Sequence, residues 1–148
     1  MINLPPDFLE VLQLLNENSV DYVLVGGYAV AYHGYPRFTG DIDILLMVKE
    51  QNAVNVVKAL DQFGFGAMGL KKEDFLVNEQ VIQLGVHPLR INLLTNITGV
   101  SSEQVFKNAI EVDIENLTIR IISKQDLIQN KKSTGRSKDK VDIEHIDK

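Results

Sequence analysis

Residues 25–46, VGGYAVAYHGYPRFTGDIDILL, constrain what this chain can fold into more than any other stretch. Asp21 to Val25 is a short, β-rich run that reads as a buried strand, and it ends in Gly26-Gly27. Tyr28 to His33 can form a helix directly afterwards. Glycines let the backbone approach a ligand closely, and the free N–H groups of a helix start attract phosphate. After a loop from Gly34 to Gly40 come Asp41 and Asp43. Positions i and i+2 of a strand point to the same face, so these two carboxylates stand side by side. They repel each other unless something neutralises them. A divalent cation does so, and Mg²⁺ prefers oxygen ligands together with substrate phosphates.

Each part of this pattern also has a plain reading. A Gly-Gly pair is often only a turn, and an Asp-x-Asp is often a solvated strand edge. The combination argues otherwise. The acids open a strand, Asp41 to Val48, that becomes wholly apolar from Ile44 onward. Unpaired acids beside a core are costly unless they serve a site.

The remaining pattern mixes helices and strands. Pro5-Pro6-Asp7 starts a helix carrying Phe8, Val11, Leu12 and Leu15 at helical spacing, and Asn16 to Ser19 is a polar break. Gln51 to Phe63 is a helix with Ala53, Val57 and Leu60 on one face, followed by a flexible stretch at Gly64, Gly66 and Gly69. Val81 to Leu84 and Leu89 to Leu94 read as strands around a Gly85/Pro88 turn. Ser101 with Gln104, and Ser123 with Asp126, have capping-box spacing and open two helices, the second running to about Asn130. Leu117 to Ile122 lies between them as a strand. The end, Lys131 to Lys148, is highly charged but keeps Val141 and Ile146 for packing. The expected class is α/β or α+β with one sheet, and residues 1–148 are expected to make a single domain.

Composition excludes several chemistries. There are no cysteines, so disulfides and thiolate metal sites are ruled out. His33, His87 and His145 are far apart in sequence and lack a zinc-binding spacing. No apolar run reaches the roughly 18 residues of a membrane span, and no signal peptide is visible, so a cytoplasmic protein is expected. The formal net charge of −5 gives no global attraction to nucleic acid, so an RNA substrate would need a local basic patch.

Taken together, Gly26-Gly27, a spacer and apolar-flanked Asp41-x-Asp43 resemble the signature of the DNA polymerase beta-type nucleotidyltransferase superfamily. The likeness is closer to the small AbiEii/AbiGii-like nucleotidyltransferases, some of which act as toxins. It extends through Arg90 to Thr95 and through Asn130 to Asp139, followed by Asp142 and Glu144. The resemblance implies a minimal nucleotidyltransferase fold, a small mixed sheet flanked by helices. It implies transfer of a nucleoside monophosphate from a nucleoside triphosphate to a hydroxyl or other acceptor, with release of pyrophosphate. Gly26 and Gly27 would cradle phosphates, and Asp41 and Asp43 would be catalytic and hold Mg²⁺ or Mn²⁺. Arg37, four residues before Asp41, could reach phosphate oxygens with its guanidinium fork.

The chain departs from that pattern at one position. The family places a third carboxylate on a neighbouring strand, where this chain has Asn92. An amide oxygen can bind a metal but cannot accept a proton at neutral pH. Arg90-Ile91-Asn92-Leu93-Leu94 alternates so that Asn92 faces away from Ile91 and Leu93, toward the same cleft as the acids. Lys131, Lys132, Arg136 and Lys138 form a basic cluster in an acidic chain. Such a run is often only a solvated face. The resemblance instead turns this cluster toward the cleft, where Lys132, Arg136 and Lys138 would contact phosphate or an RNA backbone. Asp139, Asp142 and Glu144 are expected to pair with these bases or to cover the helix surface rather than bind metal, and Tyr32 and His33 to pack.

Three functions compete. The first is a Mg²⁺-dependent nucleotidyltransferase acting on RNA, protein or another acceptor. The second is a non-catalytic nucleotide- or partner-binding member, such as one half of a toxin–antitoxin pair, suggested by Asn92. The third is an antibiotic-modifying enzyme, disfavoured because such enzymes commonly carry a further substrate-binding domain.

Overall fold

The computed structural model describes residues 3–36, 39–86 and 89–147. Helix α1, Pro6–Glu17, starts with proline in its first turn and buries Phe8, Val11, Leu12 and Leu15. Strand β1, Tyr22–Val25, is buried along its whole length because it lies inside the sheet. It runs straight into α2, Gly26–Tyr32, with no intervening loop. Strand β2, Asp41–Leu46, buries Ile42, Ile44, Leu45 and Leu46 and leaves Asp41 and Asp43 half-exposed.

Helix α3, Glu50–Leu60, follows. Its buried Asn52 accepts from the Asp21 N–H at 2.7 Å and donates to the carbonyls of Asp21 (3.0 Å) and Met47 (2.8 Å). That one amide ties the helix to the ends of β1 and β2. Short irregular turns then span 61–75, where Gly64 has φ 110°. Strands β3, Val81–Val86, and β4, Leu89–Leu94, form an antiparallel hairpin.

Helix α4, Ser102–Asn108, is capped by Ser101 as its spacing predicts, the hydroxyl accepting from the Gln104 N–H at 3.2 Å. Strands β5, Ile110–Ile114, and β6, Leu117–Ile121, form a second hairpin, turned by Glu115 (φ 49°) and Asn116 (φ 69°). Strand β5 goes beyond the sequence reading. Helix α5, Lys124–Thr134, is capped by Ser123 and runs past Asn130, and α6, Ser137–Ile146, orders the charged end.

The six strands form one mixed sheet in the order β3-β4-β2-β1-β6-β5, flanked by the helices. β1 is antiparallel to β2 and parallel to β6, and β2 is parallel to β4. Helix α1 packs on α3, α2 on β1, β2 and α5, and α5 on α6. Among the described residues no helix is long and apolar enough to cross a membrane.

Candidate active site

Strand register assembles the site. Val25 on β1 lies opposite Asp43 on β2, which in turn lies beside Asn92 on β4. The glycine turn that follows Val25 therefore opens next to the Asp43 carboxylate. Asp41 lies beside Arg90 in the same register. Gly26 has φ +71°, a left-handed backbone that suits glycine. A Cβ at Gly26 would also fall 2.1 Å from Asp43 Oδ2, so a side chain is excluded twice over. A Cβ at Gly27 would stand 2.9 Å from Thr39 Oγ1.

Asp41 and Asp43 share one face of β2, as their spacing predicts, while Ile42 and Ile44 fill the core. Asn92 joins them. Its Nδ2 donates to Asp43 Oδ1 at 2.8 Å and to Asp41 Oδ2 at 3.3 Å. Gln83, opposite on β3, donates to Asn92 Oδ1 at 3.0 Å and so turns the amide nitrogen toward the acids. The guanidinium of Arg90 lies 3.2 Å from Asp41 Oδ1. Burial pushes the Asp43 carboxyl above its ordinary value. The Asn92 hydrogen bond opposes this, the Asp41 charge adds to it, and Lys131 and Lys138 oppose it.

The acids open into a cleft of about 580 Å³. Gly26, Gly27, Thr39 and Gly40 line one side, Leu94, Asn96, Ile97 and Thr98 another, and Asn130, Lys131, Thr134, Arg136 and Lys138 a third. The segment after β4 is tied to α5: Gln129 donates to the Gly99 carbonyl at 2.7 Å and Asn130 to the Thr98 carbonyl at 2.9 Å.

The basic wall has a buried anchor. Lys131 Nζ lies 2.8 Å from Asp139 Oδ1 and 3.2 Å from Asp142 Oδ2, all three side chains being buried. Arg136 Nε reaches Asp139 Oδ2 at 2.7 Å, and Thr134 donates to the same carboxylate. Burial would raise Asp139, but the bonds from Lys131, Thr134 and Arg136 outweigh it and hold the carboxyl down at about 2. This network fixes the corner between α5 and α6, and Arg136 and Lys138 line the cleft from it.

Of the cations singled out in the sequence, Arg136 and Lys138 line the cleft and Lys132 does not. Lys132 lines a separate groove with Gln104, Asn108 and Asp126. Successive helical residues point about 100° apart, so the neighbour that reaches the cleft is Lys131. Arg37 lies outside the described residues. His33 packs, its Nε2 lying 2.7 Å from the Ile122 carbonyl. Arg90 was legible on β4, because period two puts it on the face of Asn92. Asn96, Ile97 and Thr98 lie beyond the strand and carry no such signal.

Asp41 and Asp43 supply hard oxygen donors on one face, both within hydrogen-bonding reach of a single nitrogen. That fits Mg²⁺, which is commonly held by one or two carboxylates with substrate phosphates completing its shell. Among the described residues no group of three or more acids or histidines is placed to hold a metal.

A glycine turn set against paired carboxylates, in a cleft with a cationic wall on a small mixed sheet, defines a protein of the nucleotidyltransferase class. The chain belongs to the family described as nucleotidyl transferase of unknown function (DUF2204), whose profile matches residues 6–148. A comparison with curated proteins returns no match. Solved structures share the fold. The lincosamide antibiotic adenylyltransferase LnuA, lincomycin-bound, is 17% identical with a TM-score of 0.62, over 99% of this chain and 98% of that one. A protein from Thermotoga maritima assigned as a nucleotidyltransferase is 15% identical with a TM-score of 0.61, over 96% and 93%. An antigenic nucleotidyltransferase-like protein from Paracoccidioides brasiliensis is 16% identical with a TM-score of 0.60, over 95% and 72%.

Proposed function

We propose that the protein transfers a nucleoside monophosphate from a nucleoside triphosphate to an acceptor hydroxyl, with Mg²⁺ or Mn²⁺ held by Asp41 and Asp43. The observation that carries this reading is the register that sets the side-chain-free turn at Gly26 against Asp43, in a cleft walled by Arg136 and Lys138. Gly26 and Gly27 leave room for phosphate to approach the backbone. Arg136 and Lys138 neutralise phosphate charge and orient the triphosphate. When bound, the cation would polarise the phosphate and offset charge developing during transfer. Asn92 donates hydrogen bonds to both acids and cannot take the hydroxyl proton, which leaves to water.

The test is incubation with each α-labelled nucleoside triphosphate, with Mg²⁺ or Mn²⁺, and with either total RNA or a small-molecule extract. Label is expected in one acceptor pool, and Asp41→Ala or Asp43→Ala should abolish transfer and weaken the metal-dependent part of nucleotide binding by calorimetry. Equal metal-dependent affinity in wild type and both variants would overturn the assignment.

A second reading is a nucleotide- or partner-binding protein without transfer activity. Its support is the Asn92 amide, which bonds to both carboxylates where a third acid would stand. The narrower AbiEii/AbiGii-like likeness, with RNA or a toxin–antitoxin partner, rests on the separated sequence blocks.

A further inference from the structure

A second groove of about 600 Å³ opens beside the cleft. Its floor is apolar, made by Met47 and Val48 just beyond β2 and by Phe106 of α4. Its rim carries two carboxylates, Glu79 and Glu103, and one ammonium, Lys49, all exposed. None of the three makes an ion pair among the described residues. Asn96, just after the strand that carries Asn92, lines both this groove and the cleft. The two cavities therefore share one lining residue, and their characters differ. The cleft is lined by Arg136 and Lys138 facing the paired acids, Lys131 being buried against Asp139 and Asp142, whereas the groove is apolar below and net negative at its rim.

We propose that this groove is the acceptor site, and that the acceptor is a small hydroxylated molecule with an apolar body and a cationic amine. The proposal rests on the nucleotidyl-transfer reading above. A nucleic-acid strand carries a negative charge at every phosphate, and the rim carboxylates repel it. An apolar body covers Met47, Val48 and Phe106, as small-molecule sites commonly combine apolar walls with a few polar contacts. An amine pairs with Glu79 and Glu103. Asn96, which borders both cavities, is where the hydroxyl would pass toward the triphosphate. In the transfer, the hydroxyl oxygen forms a bond to the α-phosphorus and the bond from that phosphorus to the α,β-bridging oxygen breaks. Pyrophosphate leaves with the electron pair, and the hydroxyl proton passes to water.

Three probes of similar shape separate charge from size: 2-amino-1-phenylethanol, its N-acetyl derivative and mandelate. Each is titrated into the full chain and followed by NMR at Met47, Val48, Glu79 and Glu103. The amine is expected to move these resonances at the lowest concentration, the neutral compound next and mandelate last. Glu79→Gln/Glu103→Gln should weaken the amine about three- to tenfold, the scale of two exposed ion pairs, and leave the neutral compound unchanged. With Mn²⁺-ATP present, the carbinol proton of the bound amine should broaden, because the groove adjoins the cleft. The proposal is overturned if mandelate or an RNA oligonucleotide occupies the groove as well as the amine does, if the amine moves no groove resonance, or if Mn²⁺-ATP binds without broadening the probe. Nucleotide binding is read separately at Gly26 and Gly27, where ATP shifts should persist in the double variant. Their absence in wild type would defeat the nucleotidyl-transfer reading instead.

Discussion

Asn92→Asp probes the balance of charge among the three side chains that meet on β2 and β4. In the resting protein the Asn92 amide donates to Asp43 Oδ1 at 2.8 Å and to Asp41 Oδ2 at 3.3 Å. The substitution deletes both donations and sets a third carboxylate against the first two. A hydrogen bond to a charged group contributes about 1.5–3 kcal/mol, and the longer contact contributes less, so the direct loss is about 2–4 kcal/mol. Repulsion at roughly 3 Å adds up to about 5 kcal/mol from each of the two acids at an effective dielectric of about 20. The sum is not reached, because one carboxyl takes up a proton instead. For a group with an ordinary pKa near 4, that costs about 4 kcal/mol at pH 7, and the protonated acid donates the missing bond. The metal-free variant should therefore be about 2–4 kcal/mol less stable at pH 7, a fall in Tm of roughly 4–16 °C for a chain of this size.

The sign of the pH dependence follows. The folded-state pKa of the shared proton is raised above its unfolded value. The deficit is then absent below about pH 4 and grows as pH rises toward the folded value. Millimolar Mg²⁺ should restore stability at neutral pH, and Mg²⁺ or Mn²⁺ binding and nucleotidyl transfer should exceed the wild-type level. Thermal and urea unfolding of both proteins across this pH range, with Mg²⁺ or with a chelator, measures each part. Equal stability at pH 7, or a deficit that neither low pH nor Mg²⁺ relieves, would refute the account of Asn92.

Other substitutions test the surrounding structure. Arg136→Ala/Lys138→Ala should weaken nucleotide binding most at low salt, whereas Lys132→Ala should leave it unchanged because Lys132 lines another groove; calorimetry at two ionic strengths compares them. Gly26→Ala combines φ +71° with a Cβ 2.1 Å from Asp43 Oδ2, so a loss of about 3 kcal/mol or more and loss of nucleotide binding are expected in unfolding and binding assays. Asp139, held at about 2, is lowered from its unfolded value, so its stabilisation is present above about pH 4 and is lost as pH falls through about 2. Asp139→Asn should flatten that acid limb of stability in urea titrations, and an unchanged limb would show that the α5–α6 network does not supply it.

Much of the site was legible in the sequence because its central residues are related by local spacing. Period two places Asp41 and Asp43 on one face, and the same period on β4 turns Asn92 and Arg90 together. The capping serines announce α4 and α5 through contacts only three residues apart. Strand β5 is poorly marked in the sequence although Ile110-Glu111-Val112-Asp113-Ile114 alternates, because its turn uses Glu115 and Asn116 in left-handed backbone rather than a glycine signal. Helix α6 carries no apolar helical signature in the sequence because two of its three buried residues, Asp139 and Asp142, are acids. Their burial depends on Lys131 from another helix, and no apolar periodicity records that pairing.

The sequence alone therefore determined the mixed α/β class and the faces of β2 and β4. Those features follow from repeats of two or a few residues along one chain segment. Tertiary structure alone decided that Lys131 and not Lys132 reaches the cleft, that Gln83 turns the Asn92 amide toward the acids, and that Asn96 joins two cavities. Each depends on how separate elements are set against one another, and that placement comes from packing across the sheet rather than from any local spacing.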